Sequence, residues 1–151
     1  MYDRILVATD GSETAGDAAT HAAALAREHG ADLHAAYVVE TRTGYDNAIV
    51  DPGTVRRALR EEGETALAAV ESAAGDYPVE TALLEGVPHE ELLEYVADEG
   101  IDLVVVGAVG RSAFENVLLG SVTDTLVRSA AVPVLVVGGG VPPGENGGQS
   151  H

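Results

Sequence analysis

The sequence predicts an α/β protein: a single domain built on an open, parallel, five-stranded sheet with helices on both faces. Three observations carry this. Short apolar runs within Arg4 to Thr9, Leu33 to Val39, Asp102 to Val106 and Val134 to Val137 fit strands buried on both faces. They alternate with longer stretches of helical periodicity, which implies right-handed crossovers and a parallel sheet. A chain of 151 residues also suits one core, able to bury roughly 68 to 70% of its unfolded surface.

The first strand is followed by an alanine-rich helix over Glu13 to Gly30, with Ser12 or Asp10 as cap and Gly30 as stop signal. After the second strand, Thr41 to Gly53 carries two glycines, a proline and mixed polar residues, and reads as a loop. The next helix runs from Thr54 to Ala74, where Val55, Leu59, Ala66, Val70 and Ala74 form an apolar stripe. Val79 to Leu84 reads as the third strand, and Pro88 to Glu99 as the third helix, with Pro88 in its first turn. The fourth strand, a helix over Val122 to Ala130 and the final strand complete a domain spanning 1–138. The Gly/Pro-rich segment 139–151 offers almost nothing to bury and reads as a flexible tail.

Composition narrows the function. Twenty-five acidic residues against eight arginines give a net charge of -17, which disfavours nucleic acid as a partner because that binding is driven by cationic side chains. The chain contains no lysine. At ionic strength near 1 M the Debye length falls to about 3 Å, so salt is expected to relieve the repulsion among carboxylates, in keeping with a halophilic cytoplasm. With no cysteine, disulfides and thiol chemistry are excluded. Neither a signal-peptide pattern nor a stretch able to cross a bilayer is present, so a cytoplasmic protein is expected. His21, His29, His34, His89 and His151 show no metal-ligand spacing and read as surface or packing residues.

The chemistry concentrates between Val106 and Val122. Gly107 ends the fourth strand, Gly110 follows after two residues, and Gly120-Ser121 opens a helix nine residues later. Unpaired amides and the positive end of the dipole make such a helix start a phosphate site. A capping box between Ser121 and Asp124 is the purely structural alternative. Arg111 reads equally as a counter-charge and as a solvated loop residue. Without lysine a Gly-x-x-x-x-Gly-Lys loop is impossible, and no Gly-x-Gly-x-x-Gly follows the first strand. Ligands of parallel sheets sit beyond the strands' carboxyl ends where strand order reverses, so the first and fourth strands should flank the crevice and face Thr9-Asp10 toward Gly107. Asp10 would either cap the first helix or hold a magnesium ion or ribose.

The motif Gly107-x2-Gly110-x9-Gly120-Ser121, the run from Leu118 to Thr123, the closing Val132 to Val137 and the opening Ile5 to Ser12 resemble the ATP-binding branch of the universal stress protein family. The resemblance covers Tyr2 to Gly138 and implies a Rossmann-like fold related to the adenine nucleotide alpha hydrolases, with strand order 3-2-1-4-5. It also implies ATP, or ADP or AMP, with Mg2+, and a homodimer formed through Val134 to Val137. Ala8, Thr9 and Asp10 would belong to the nucleotide site. Val38 would lie near adenine and Val106 at the base or ribose, while Gly107, Gly110, Gly120, Ser121 and Val122 would hold the phosphates. Ala108 and Val109 depart from relatives that often carry a hydroxyl residue and a histidine there. Three functions are implied: a nucleotide-dependent regulator of the stress response acting on a protein partner, a slow ATPase or phosphotransferase, or a nucleotide-free dimerising adaptor.

Overall fold

The computed structural model describes residues 1–40, 52–109 and 120–138. Along the chain lie β1 (Arg4–Ala8), α1 (Glu13–His29), β2 (Asp32–Glu40), α2 (Pro52–Ala74), β3 (Val79–Gly86), α3 (Pro88–Glu99), β4 (Leu103–Gly107), α4 (Ser121–Ser129) and β5 (Val134–Val137). The five strands form one sheet, all pairs parallel as the alternating elements predict, in the order β3-β2-β1-β4-β5 that the family resemblance implies. Helix α2 starts at Pro52, two residues before the expected Thr54, because proline suits a first helical turn. The expected loop over 41–51 and tail over 139–151 lie outside the described residues.

Strand alternation sorts the side chains into two cores. Ile5, Val7, Leu33, Ala35, Tyr37, Leu103 and Val105 pack beneath α1 and α2. On the opposite face Leu6, Ala36, Val104 and Val106 pack with Leu92 and Val96 of α3 and Leu126 of α4. Leu6 and Val105 are fully buried, so β1 and β4 form the centre of the molecule.

Helix α1 buries Ala15, Ala18, Ala19, Ala22, Ala23 and Ala26, a stripe at three- and four-residue spacing. Short side chains let it approach the sheet closely. Ser12 is its N-cap, accepting from the Ala15 amide at 3.2 Å, and Gly30 ends it at φ 65, a left-handed conformation that glycine adopts without a Cβ penalty. The closeness is sharpest at Gly107, where a Cβ would sit 2.5 Å from Thr14 Oγ1, 2.7 Å from the Thr14 carbonyl carbon and 2.9 Å from the Ala15 nitrogen. The missing side chain at the end of β4 therefore serves helix-to-strand packing. The sequence alone suggests ligand approach at that position.

On the other face, His34 is only 4% exposed and its Nδ1 lies 2.7 Å from the Tyr95 hydroxyl of α3. Burial, followed by the negative charges of Glu99 and Glu80, pushes the Tyr95 phenol up to about 12. Folding thus favours the neutral phenol: this contribution is complete below the unfolded pKa near 10 and disappears as pH rises toward 12. The chain has no lysine or cysteine to add a titration near that window. Among the described residues, no helix is long and apolar enough to cross a membrane. Urea melts between pH 9 and 12 should show stability falling with pH, and falling less steeply in Tyr95→Phe. Equal slopes for the two proteins would contradict this assignment.

Candidate nucleotide site

The end of β1 becomes the start of α1 through consecutive side-chain-to-backbone hydrogen bonds. The Thr9 amide continues the sheet ladder by donating to the Ala36 carbonyl at 3.0 Å. Thr9 Oγ1 accepts from the Gly11 amide at 3.1 Å, and Asp10 Oδ1 accepts from the Ser12 amide at 2.9 Å. Such Ser/Thr and Asx turns fix the backbone where it leaves the sheet. Asp10 is thereby held half-buried at the carboxyl edge of the sheet. Either expected cap was possible from sequence; the structure assigns the helix cap to Ser12 and the preceding turn to Asp10.

β4 and α4 are fastened to each other on the opposite side of the strand-order reversal. The Gly107 carbonyl accepts from Thr123 Oγ1 at 2.8 Å, the Ala108 amide donates to the Val137 carbonyl at 2.9 Å, and the Gly120 amide donates to the Ala108 carbonyl at 2.7 Å. Thr14 Oγ1 donates to the Val109 carbonyl, adding α1 to the same junction. These bonds bring residues 107–109 and 120–123 together although ten residues separate Val109 from Gly120. Gly110 and Arg111, both expected at the phosphates, lie outside the described residues.

The first helical bond of α4 runs from the Asp124 amide to the Gly120 carbonyl at 2.8 Å. The amides of Ser121, Val122 and Thr123 therefore precede the helical ladder, at the positive end of its dipole. The capping box weighed from sequence does not form. Gly120 is the N-cap, with no side-chain cap hydrogen bond, Ser121 is already helical, and Asp124 pairs with Arg128 at 3.0 Å across one turn. Among helices with a described N-cap, α1 is closed by a serine hydroxyl, whereas α3 and α4 have no side-chain cap.

Beside this helix start lies apolar surface. Ala8, Val38 and Val106 share the α3/α4 face near the carboxyl ends of three adjacent strands; Val106 is 3% exposed, while Ala8 and Val38 are half-buried. Val122 of α4 packs against the same cluster. Leu84, which the sequence reading omits, joins them as the register partner of Val38 and is also half-buried. Period-two alternation from Ala82 would have pointed to it. Thr9, in contrast, lines a small cavity with Ala15, Ala19 and Ala66 under α1 and α2, so its side chain lies on the other face and only its backbone shares the sheet edge with Asp10.

This geometry has two complementary parts. It offers main-chain donors for an anion and an apolar shelf for a flat ring, and Asp10 is the one ionisable side chain among the expected site residues that are described.

Comparison with known proteins agrees with this geometry. Residues 1–138 match the model of the universal stress protein family. The chain is 37% identical over 142 residues to universal stress protein MJ0531 of Methanocaldococcus jannaschii, an alignment covering 91% of this chain and 82% of that protein. The structure of universal stress protein UspA from Lactobacillus plantarum superposes with a TM-score of 0.73 at 31% identity, covering 91% of this chain and 98% of that one. A universal stress protein crystallised in complex with cAMP superposes with a TM-score of 0.65 at 27% identity, covering 92% and 99% of the two chains. On the evidence of this fold, the junction between β4 and α4, and these matches, the chain belongs to the universal stress protein family.

Proposed function

We propose that the protein is a homodimeric, nucleotide-dependent regulator of the cytoplasmic stress response, taking ATP, or ADP or AMP, with Mg2+. The carrying observation is the pairing of an apolar shelf with a helix start whose first amides are unused by the helix. In this reading the adenine rests on Ala8, Val38 and Val106, with Leu84 extending the shelf, and the phosphates meet the amides of Ser121 and Val122. Main chain at Gly107, Gly110 and Gly120 also holds the phosphates, Thr9 contributes backbone at the sheet edge, and Arg111 supplies counter-charge. Asp10 takes the ribose or the magnesium ion, which suits a metal that binds few carboxylates together with phosphate oxygens. The cAMP complex of a relative supports an adenine nucleotide as the ligand class.

Ser121 allows a selective test because it is the first residue of α4. Proline is tolerated at that position, and the preceding Gly120, at φ -66 and ψ 159, already has the extended conformation that proline requires of its neighbour. Ser121→Pro thus deletes one amide donor while keeping the helix. A hydrogen bond to a charged group contributes about 1.5 to 3 kcal/mol, so calorimetry with MgATP in high salt should show about 10- to 150-fold weaker binding in Ser121→Pro, with Ser121→Ala much closer to wild type. No heat from wild type, or equal affinity in Ser121→Pro, would remove the proposal.

The dimer rests on β5, an edge strand whose four residues are all half-buried in the single chain. A short apolar edge of this kind is satisfied when a twofold-related copy pairs with it. Sedimentation equilibrium should give twice the 15.5 kDa chain mass, and a charge introduced by Val134→Asp should shift the protein toward monomer. A wild-type protein that sediments at the single-chain mass at all concentrations would exclude the dimer.

A further inference from the structure

At the amino-terminal end of the sheet, opposite the proposed nucleotide site, β2, β3 and α3 bring together a second set of ligating groups. His34 and Glu80 are register partners on adjacent strands and share the face covered by α3. Tyr95 and Glu99 are four residues apart on α3, so they project from one side of that helix. One ligand atom from each of His34, Glu80 and Glu99 lies within 4.8 Å of the other two.

We propose that His34, Glu80 and Glu99 form a binding site for a divalent transition-metal ion, with Tyr95 as the residue that orients the imidazole. Three features support this. First, the histidine is held in place: it is 4% exposed, its ring meets Tyr95 edge-on with centroids 5.7 Å apart, and its Nδ1 is 2.7 Å from the Tyr95 hydroxyl. With Nδ1–H donating to the Tyr95 oxygen, the ring is fixed and the Nε2 lone pair is left to ligate, which is how metal-bound histidines are typically supported. Second, the spacing is close to what coordination needs. Ligand atoms about 2.0 to 2.2 Å from a metal lie at most about 4.4 Å apart, so small rotations of two glutamates would close the set. Both glutamates are exposed and free of the packing that would resist this motion. Third, two carboxylates converge on one buried imidazole, while the nearby Arg4 guanidinium is directed to the Glu99 main-chain carbonyl at 3.4 Å and to Asp32 at 3.8 Å. A bound cation would relieve that repulsion.

One imidazole and two carboxylates match Zn2+, Fe2+ or Mn2+ rather than a thiophilic ion, and leave at least one position for water. The ion would fasten the edge strand β3 to the carboxyl end of α3. Sequence spacing conceals this arrangement, because the three ligands come from separate elements and no two are close in the chain.

The test uses the full chain stripped with chelator and titrated with Zn2+ alone, against Glu80→Gln/Glu99→Gln, whose exposed substitutions leave the buried core intact. Wild type should bind one Zn2+ per chain at least tenfold more tightly than the double variant, and Co2+ in its place should give visible absorption of four- or five-coordinate intensity that the double variant lacks. Weak binding by other histidines and surface carboxylates is common to both proteins and cancels in the comparison. Equal Zn2+ affinity in the two proteins, or only the faint absorption of hydrated Co2+ in wild type, would overturn the site. His34→Gln, if it folds, should abolish the tight site as well, and tight binding retained in that folded variant would equally overturn it.

Discussion

The structure turns on the junction where β4 ends and α4 begins. Between β1 and β4 the chain reverses the direction in which it lays down strands, so the connections on either side diverge and leave a crevice at the carboxyl edge. Among the described residues its walls are held by Thr123 to the Gly107 carbonyl, Gly120 to the Ala108 carbonyl, Ala108 to the Val137 carbonyl, and Thr14 to the Val109 carbonyl. All are local to the ends of strands and helices, and together they aim the first turn of α4 along the sheet edge. The absence of a Cβ at Gly107 lets α1 close on the same point. The apolar shelf depends on this junction, because a shifted α4 would carry Val122 away from Val106 and Ala8.

Charge sets the main physical difficulty for an anionic ligand. A net charge of -17 repels phosphate at long range, yet at physiological ionic strength exposed charges more than about 8 Å away are largely screened. Amide donors in direct contact with a phosphate oxygen are not screened in this way, and each is comparable in strength to other hydrogen bonds to charged groups. For the proposed ligand, local donors would therefore outweigh the global field, and that advantage would grow with salt. The same screening would stabilise the folded chain, so a high-salt environment suits fold and ligand together.

Much of this was legible in the sequence, for physical reasons particular to each element. Apolar runs at β1 and β4 exist because both faces are covered, and alternation of strands with helices leaves few topologies open. Ser12 and Gly30 mark the ends of α1 through chemistry local to the backbone. Contacts between distant elements were less visible. Gly107 reads as a ligand-facing glycine until Thr14 and Ala15 are seen against it, and Ser121 reads as an N-cap until Gly120 is found there. Leu84 required the register of β3 on β2, and the grouping of His34 with Glu80 and Glu99 required the placement of α3. Local sequence encodes elements and caps well, whereas register and helix placement decide which side chains meet.

In the proposed function, the amides that precede the helical ladder of α4 and the apolar ends of β1, β2 and β4 form one pocket for an adenine nucleotide. A crystal structure determined with ATP and magnesium tests it most directly. Adenine is expected against Val38, Ala8 and Val106, with phosphate oxygens within hydrogen-bonding distance of the Ser121 and Val122 amides. A crevice filled by the protein's own side chains, or nucleotide density found only elsewhere, would contradict it.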